Sequence, residues 1–298
     1  MSSLRDIRAR IRSIQNTRKI TKAYQVVSAT KLRKAQAAVE AARPYAEKML
    51  EVLETTAARS REYRHPFLER REGKKAIVVM VTADKGLAGA VSMNTIRAVN
   101  RHLLANHDGQ ARFVTIGRKG RDFMARYRRE IIADASGLTD NPRLAEILPA
   151  VTVALQEYIE GRADTVLLAY QKFVSTLRQE PVVRTLVPID IGGHEGAGGG
   201  GTERPGAPAA DYIYEPGPEE VLDALLPRYV ETQIYQAVLE NKASEWAARM
   251  IAMQNATDAA GDLIQSLNLF ANKVRQAAIT TELMEIVSGA EALRAAPK

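Results

Sequence analysis

Both ends of the chain carry long amphipathic repeats that are almost free of proline. Near the start, apolar residues recur every three or four positions, at Leu4, Ile7, Ile11 and Ile14. This spacing places them on one stripe of a helix, and such a stripe has to be buried against another surface. The stripe then drifts through Ile20, Tyr24 and Val27 and resumes its rhythm over residues 32–53. We predict a nearly continuous helix of roughly 40 to 55 residues, longer than most globular helices.

The other end of the chain repeats the pattern. Its stripe comprises Ala260, Leu263, Leu267, Phe270, Val274, Ala277, Thr281 and Met284. No proline lies between Pro227 and Pro297, so this helix can also be very long, with Gly261 and Gly289 as its expected weak points. The simplest way to bury two such stripes is an antiparallel coiled coil of the two ends. Its predicted seam contains Leu4, Ile7, Ile11, Ile14, Leu263, Leu267, Phe270 and Val274.

Positive charge is concentrated in the first helix. Residues 1–43 contain 11 lysines and arginines against two acidic residues, whereas the whole chain has a net charge of +7. Three partners would suit such a helix: nucleic acid, a membrane surface or an acidic protein. The arginines interleave with the apolar stripe, unlike the separate basic region of a zipper protein, which weakens the DNA interpretation. The first 23 residues contain no aromatic residue, which weakens the membrane interpretation.

The middle of the chain alternates between strand and helix patterns. Strands are predicted at residues 76–82, 112–116, 130–133, 165–174 and 181–189, with helices near 94–104, 121–128 and 143–159. This alternation predicts a mostly parallel sheet with helices on both faces, ending in an antiparallel pair. The fold class is therefore α+β or α/β: a long antiparallel coiled coil of the terminal helices plus a central Rossmann-like α/β domain.

We expect four regions along the chain. They are an N-terminal coiled-coil helix at 1–60, an α/β head domain at 74–191, a flexible insertion at 192–210 and a C-terminal coiled-coil helix at 219–294. The insertion is inferred from composition, because residues 192–208 include eight glycines and two prolines. Such a segment cannot bury a core.

The sequence contains no convincing catalytic motif. The stretch DKGLAG at 84–89 follows a strand, but it lacks the third glycine of the dinucleotide fingerprint and the Gly-Lys-Ser/Thr ending of a P-loop. The four histidines have no metal-ligand spacing, and the chain has no cysteine. We therefore expect no catalytic residue, cofactor or metal. Its longest apolar runs are too short to cross a bilayer.

Several stretches closely resemble the gamma subunit of F-type ATP synthases. At the N-terminal end these are RIRSIQNTRKITKA (10–23) and SATKLRKAQ (28–36). At the C-terminal end they are SEWAARMIAMQNATD (244–258), NKVRQAAIT (272–280) and ELMEIVSG (282–289). The segment TADKGLAG (82–89) is similar, more loosely, to the family's segment after the first strand.

The resemblance implies a rotor subunit of the central stalk that couples proton flow through the c-ring to ATP synthesis or hydrolysis. Its implied partners are the alpha and beta subunits of the catalytic hexamer, the epsilon subunit and the c-ring. It implies no nucleic acid and contact with the membrane only through partners. Catalysis would belong to the beta subunits. The implied location is the cytoplasmic side of the bacterial plasma membrane. The alternatives are a coiled-coil nucleic-acid-associated protein and a nucleotide-dependent α/β enzyme.

The resemblance also implies contact residues. Beta-subunit contacts are expected at Lys19, Lys22, Lys31, Arg33, Arg275, Gln276 and Thr280. A contact of the head domain with the epsilon subunit or the c-ring is expected at Asp84 and Lys85.

Overall fold

The computed structural model describes residues 4–59, 63–109, 111–190 and 217–295. Its elements are α1 (Leu4–Arg59), a 3₁₀ helix (Pro66–Leu68), β1 (Ala76–Val81), α2 (Val91–Asn106), β2 (Ala111–Ile116), α3 (Arg118–Arg126), β3 (Ile131–Ala135), α4 (Leu144–Ile159), β4 (Thr165–Phe173), β5 (Gln179–Val187) and α5 (Pro218–Ala295). The insertion predicted at 192–210 lies outside the described residues.

The chain divides into two compact units. One comprises Met1–Ser28 and Met250–Lys298, and the other comprises Ala29–Arg249. The division falls inside α1 and α5 rather than at their ends. The four sequence-based regions therefore stay predictions.

Both terminal helices continue through a proline. Helix α1 has 56 residues and contains Pro44, while α5 has 78 residues and contains Pro227. A proline inside a helix removes one backbone hydrogen bond and commonly kinks the helix. Neither proline ends its helix, and α5 also continues through Gly261 and Gly289.

The first unit contains an antiparallel helix pair. The hydroxyl oxygens of Thr21 and Thr257 lie 2.7 Å apart, and the Gln25 amide donates to Gln254 Oε1 at 3.2 Å. Partner numbers fall along α5 as they rise along α1, so the two segments run in opposite directions. The predicted antiparallel arrangement is confirmed.

The seam of α1 does not drift as the sequence suggested. Ile20, Tyr24 and Val27 are 60%, 49% and 50% exposed. The more buried positions after Ile14 are Thr21, Gln25 and Ser28, which keep the heptad phase up to Leu32. Polar side chains thus occupy the seam where we expected Ile20, Tyr24 and Val27 to continue it.

In α5 the least exposed residues recur at alternating steps of four and three positions. It comprises Met253, Thr257, Ala260, Ile264, Leu267, Ala271 and Val274. Leu263 and Phe270 lie beside this stripe and are 45% and 49% exposed. In α1, Ile7 and Ile11 are buried, and Leu4 and Ile14 are partly buried.

The second unit is built on a five-stranded sheet in the order β3-β2-β1-β4-β5. Strands β1 to β4 are parallel, and β5 pairs with β4 in the antiparallel direction. Every residue of β1 is buried, since this central strand is covered on both faces and therefore reads as a continuous apolar run. The predicted mixed α/β fold is confirmed.

Alternate residues of β1 enter two separate cores. Val78 and Met80 pack in the core that includes Ile96 of α2 and Met124 of α3. Val79 packs in the opposite core, whose other members come mainly from α4 and from the parts of α1 and α5 that belong to this unit. The long helices are therefore part of the core of the sheet domain.

Candidate functional site

The strand order creates a topological switch point beside β1. The chain proceeds from β1 to β2 and β3 on one side, and α4 then returns it to β4 on the other side. Open parallel sheets commonly bind ligands at such a point, outside the carboxyl ends of the strands. In this protein the loop after β1 is the DKGLAG stretch, residues 84–89.

A segment of α5 is bonded to the strand ends at this point. Asn241 Oδ1 accepts from the backbone N–H of Gln171 at 3.4 Å, and the Ser244 hydroxyl donates to the Gln171 carbonyl at 3.1 Å. Gln171 lies near the end of β4, and its side-chain amide donates to the Val91 carbonyl and to Thr95 Oγ1 of α2. The chain's own helix therefore lies at the strand ends, where open doubly wound sheets commonly bind ligands.

The same part of α5 carries buried charges. Lys242, Glu245 and Arg249 are 6%, 2% and 2% exposed. Arg249 Nη2 lies 2.6 Å from Glu245 Oε1, and Lys242 Nζ lies 3.6 Å from Glu245 Oε2. Burying charges is costly unless they are paired. Each of these groups has an opposite charge within ion-pair distance.

Two of these charges bind the loop after β1. The Arg249 guanidinium donates to the Gly86 carbonyl from Nη2 at 3.1 Å and from Nε at 3.3 Å. Lys242 Nζ lies 3.7 Å from Asp84 Oδ2. The guanidinium also lies over the ring of Trp246, 4.6 Å from its centroid, a cation–π geometry. We call Asp84, Lys242, Glu245, Arg249 and the Gly86 carbonyl the buried clamp.

Asp84 extends the buried clamp to the neighbouring strands. It is 9% exposed, and its carboxylate accepts backbone hydrogen bonds from Arg118 after β2 and from Gly137 and Leu138 after β3. These bonds are 2.8 to 3.1 Å long. One carboxylate thus joins the carboxyl ends of β1, β2 and β3 and is also paired with α5.

Of the two head residues expected to contact partners, only one is available at the surface. Lys85 is exposed, whereas the Asp84 carboxylate is engaged within its own unit. Leu87, two residues further on, is 65% exposed and has a φ of +62°, a conformation that non-glycine residues rarely adopt. The loop therefore exposes Lys85 and Leu87 to solvent, while Asp84 at the start of the loop is hydrogen-bonded to the segments after β2 and β3.

The expected beta-subunit contacts are surface residues with one exception. Lys19, Lys22, Arg33, Arg275, Gln276 and Thr280 are exposed. Lys31 is partly buried, and its Nζ lies 3.0 Å from Asp140 Oδ2. Burial acts to raise the pKa of Asp140, but the Lys31 hydrogen bond and nearby positive charges lower it overall. Lys31 is thus already bound to a carboxylate of its own chain.

No cluster of metal-ligand side chains occurs in the part of the chain that the structure describes. Across the same residues, no helix is long and apolar enough to span a bilayer.

Sequence reasoning missed the buried clamp. A usable signal was present: Lys242, Glu245 and Arg249 have helical spacing within a stretch, residues 242–249, that also contains three alanines. Spacings of three and four place all of them on one face. The sequence pattern alone assigned these charges no role, because the groups they bind lie about 160 positions away in the sequence.

Comparison with known proteins gives consistent matches over the full chain. A family model described as ATP synthase matches residues 3–293. The ATP synthase gamma chains of Acidovorax sp. (strain JS42) and Ralstonia nicotianae (strain ATCC BAA-1114 / GMI1000) are each 45% identical over 295 residues. These alignments cover 98% of this chain and the whole of each relative.

Solved structures share the fold. The chain is similar to one in the mitochondrial ATP synthase of Euglena gracilis (OSCP/F1/c-ring), with a TM-score of 0.65, 19% identity and coverage of 98% of this chain and 95% of the other. A chain from the central stalk and c-ring of the Tetrahymena thermophila enzyme gives a TM-score of 0.57 and 23% identity, covering 80% of this chain and 99% of the other. These matches give no support to the nucleic-acid alternative.

Proposed function

Because this chain belongs to the gamma chains of F-type ATP synthase, which are central-stalk subunits, we propose that it couples proton flow to ATP synthesis and hydrolysis by rotation. Its partners are the alpha and beta subunits, which form the catalytic hexamer, together with the epsilon subunit and the c-ring. Catalysis takes place on the beta subunits, and this chain carries mechanical work. It lies on the cytoplasmic side of the bacterial plasma membrane and reaches the membrane through its partners.

The observation that supports a shaft most directly is the antiparallel pairing of the two chain ends at Thr21 and Thr257. Two long helices bonded side by side resist bending and twisting better than one. An asymmetric shaft presents a different side to each of three catalytic sites and so holds them in different states. By linkage, turning the shaft changes nucleotide affinity, and nucleotide turnover turns the shaft.

The exposed basic residues of α1 suit a moving contact with acidic loops of the beta subunits. Exposed ion pairs contribute about 0 to 1 kcal/mol each, so many of them can be exchanged during rotation without a deep energy minimum. Single neutralisations of Lys19, Lys22 or Arg33 should therefore have mild effects. Lys31 differs, since it must leave Asp140 before it can bind a partner.

Purification of a tagged chain from membranes tests this function. We expect the alpha and beta subunits to co-purify with it and the assembly to hydrolyse ATP. Purification without these subunits would contradict the proposal.

Arg275→Ala tests the proposed contact in the same assembly. Arg97→Ala on α2 is the matched control, because Arg97 is also exposed. We expect Arg275→Ala to lower ATP turnover while the subunit stays folded, and Arg97→Ala to leave turnover unchanged. Equal turnover in both variants would remove Arg275 from the contact.

A further inference from the structure

We propose that Lys242, Glu245 and Arg249 are positioning residues that lock α5 against rotation on the sheet domain and so carry torque between the two. This inference rests on the proposed rotor function and assigns part of it to the buried clamp. The effect of these residues is to fix the rotational position of the α5 segment that packs on the sheet domain, within the unit Ala29–Arg249.

The buried segment of α5 carries charged side chains at positions where apolar side chains could also be buried. Residues 240–247 of α5 are all buried, and four of the residues between 240 and 249 are ionisable. Apolar residues of similar volume commonly stabilise such a site as much as ion pairs do, or more. What paired charges add is direction, because their bonds weaken quickly when the angle or the distance changes.

The bonds that hold α5 lie on two adjacent faces of the helix. Asn241 and Ser244 share one face and bind β4 through Gln171. Lys242 and Arg249 lie on the adjacent face and bind the loop after β1. The two bonded faces differ by about 100° around the helix, the angle of one residue step. Turning α5 in either direction would stretch bonds on both faces.

The side chains that α5 contacts on the sheet domain are themselves held by further hydrogen bonds. Asp84 is held by backbone N–H groups after β2 and β3, and Gln171 is bonded to α2. Apolar contacts alone would resist rotation less, because the hydrophobic effect is non-directional. The clamp and the bonds of Asn241 and Ser244 to Gln171 together connect α5 to the ends of four parallel strands.

Arg249→Lys is the first test variant. Lysine keeps a positive charge beside Glu245 but loses the planar guanidinium that binds Gly86. The double variant Glu245→Gln/Arg249→Met removes the charges of one ion pair together. Leu226→Ala is the control, because Leu226 is a fully buried core residue of α5 outside the clamp.

Local loosening can be measured in the isolated full chain. Trp246 is the only tryptophan of the protein and packs against Arg249. We expect acrylamide to quench its fluorescence more strongly in both clamp variants than in wild type or in Leu226→Ala. Unchanged quenching in the clamp variants would overturn the inference, since α5 would then be held without these charges.

Torque is measured in the assembled enzyme in inverted membrane vesicles. We expect the ratio of ATP-driven proton pumping to ATP hydrolysis to fall several-fold in the double variant and less in Arg249→Lys. Leu226→Ala should lower both rates in parallel and leave the ratio unchanged. A normal ratio in Arg249→Lys together with increased Trp246 quenching would overturn the torque role. If the wild-type chain did not assemble into a pumping enzyme, the proposed function would fail instead.

Discussion

The hydroxyl oxygens of Thr21 and Thr257 lie 2.7 Å apart, although the two residues are 236 positions apart in the sequence and belong to different helices. Thr257 is buried, and each hydroxyl also lies within donating distance of a carbonyl of its own helix, Thr257 of Met253 at 2.8 Å and Thr21 of Arg18 at 3.1 Å. Four positions further along α1, Gln25 and Gln254 form a second polar pair. The antiparallel pair is therefore fixed here by hydrogen bonds as well as by apolar packing, which specifies its register.

We predict that replacing both threonines with valine costs less than the sum of the single replacements. Thr21→Val or Thr257→Val alone removes the hydrogen bond between the helices, at about 1 kcal/mol, and leaves the other hydroxyl facing a methyl group. The double variant places two methyl groups against each other and leaves no hydroxyl unpaired between the helices. Urea unfolding of the full chain, followed by circular dichroism, measures the cycle, and we expect a coupling energy of about 1 kcal/mol. Strictly additive effects would show that the two hydroxyls do not interact in solution.

We predict that Ile11→Ala is far more harmful than Ile20→Ala. Ile11 is 8% exposed on the seam of α1, whereas Ile20 is 60% exposed. Emptying a buried isoleucine site costs about 2 to 5 kcal/mol. A surface change should stay within about 0.5 kcal/mol. Thermal unfolding of the two variants makes the comparison, and similar losses would place Ile20 in the seam as well.

The seam also shows how far sequence patterns can predict this fold. The two long helices were predictable because apolar spacing is a local signal. The polar stretch at Thr21, Gln25 and Ser28 was not, because polar residues are accepted in a seam when they are hydrogen-bonded. Thr21 and Gln25 are bonded by the distant helix, and Ser28 donates to the Tyr24 carbonyl of its own helix. The apolar pattern therefore favoured the neighbouring Ile20, Tyr24 and Val27 as seam residues.

The sheet domain was easier to predict than its site. Strand β1 is apolar at every position because both faces are covered, and its boundary at residue 82 is marked by the polar loop that follows. The roles of Asp84 and Arg249 depend on contacts with other elements. The helical spacing of Lys242, Glu245 and Arg249 is a local signal, but it does not reveal which distant groups they bind, and those partners are visible only in three dimensions.

We predict opposite effects for alanine at two glycines. Gly117 has a φ of +102°, and an added Cβ would lie 2.1 Å from the Thr82 carbonyl oxygen. Gly117→Ala should therefore destabilise the sheet domain strongly. At Gly261 in α5 the Cβ would meet only the Arg18 guanidinium, at 3.7 Å, which is ordinary contact. Gly261→Ala should stabilise the chain by about 0.5 to 1 kcal/mol through helix propensity. Differential scanning calorimetry of both variants tests the pair, and a loss of stability in Gly261→Ala would contradict it.

We predict that Glu157 stabilises the protein above about pH 4 and that this contribution disappears in acid. Hydrogen bonds from Arg162 and then Arg112 outweigh the effect of burial and lower the pKa of Glu157 to about 2. A carboxyl whose pKa is lower in the folded state stabilises that state above its unfolded pKa and loses the effect as pH falls toward the folded value. Because Arg162 is half exposed, we expect Glu157→Gln to cost only about 1 to 2 kcal/mol at pH 7.

The test measures the free energy of unfolding of wild type and of Glu157→Gln from pH 7 down to pH 2 and takes the difference at each pH. This difference should be constant down to about pH 5 and then shrink, because the wild-type carboxylate becomes protonated in the unfolded chain before it does so in the folded one. Glu47→Gln, at an exposed position of α1, is the control for the substitution itself. A difference that stayed constant to pH 2 would mean that the two arginines do not hold Glu157 ionised, and the pairing of α4 with β2 through Arg112 would then contribute nothing to stability.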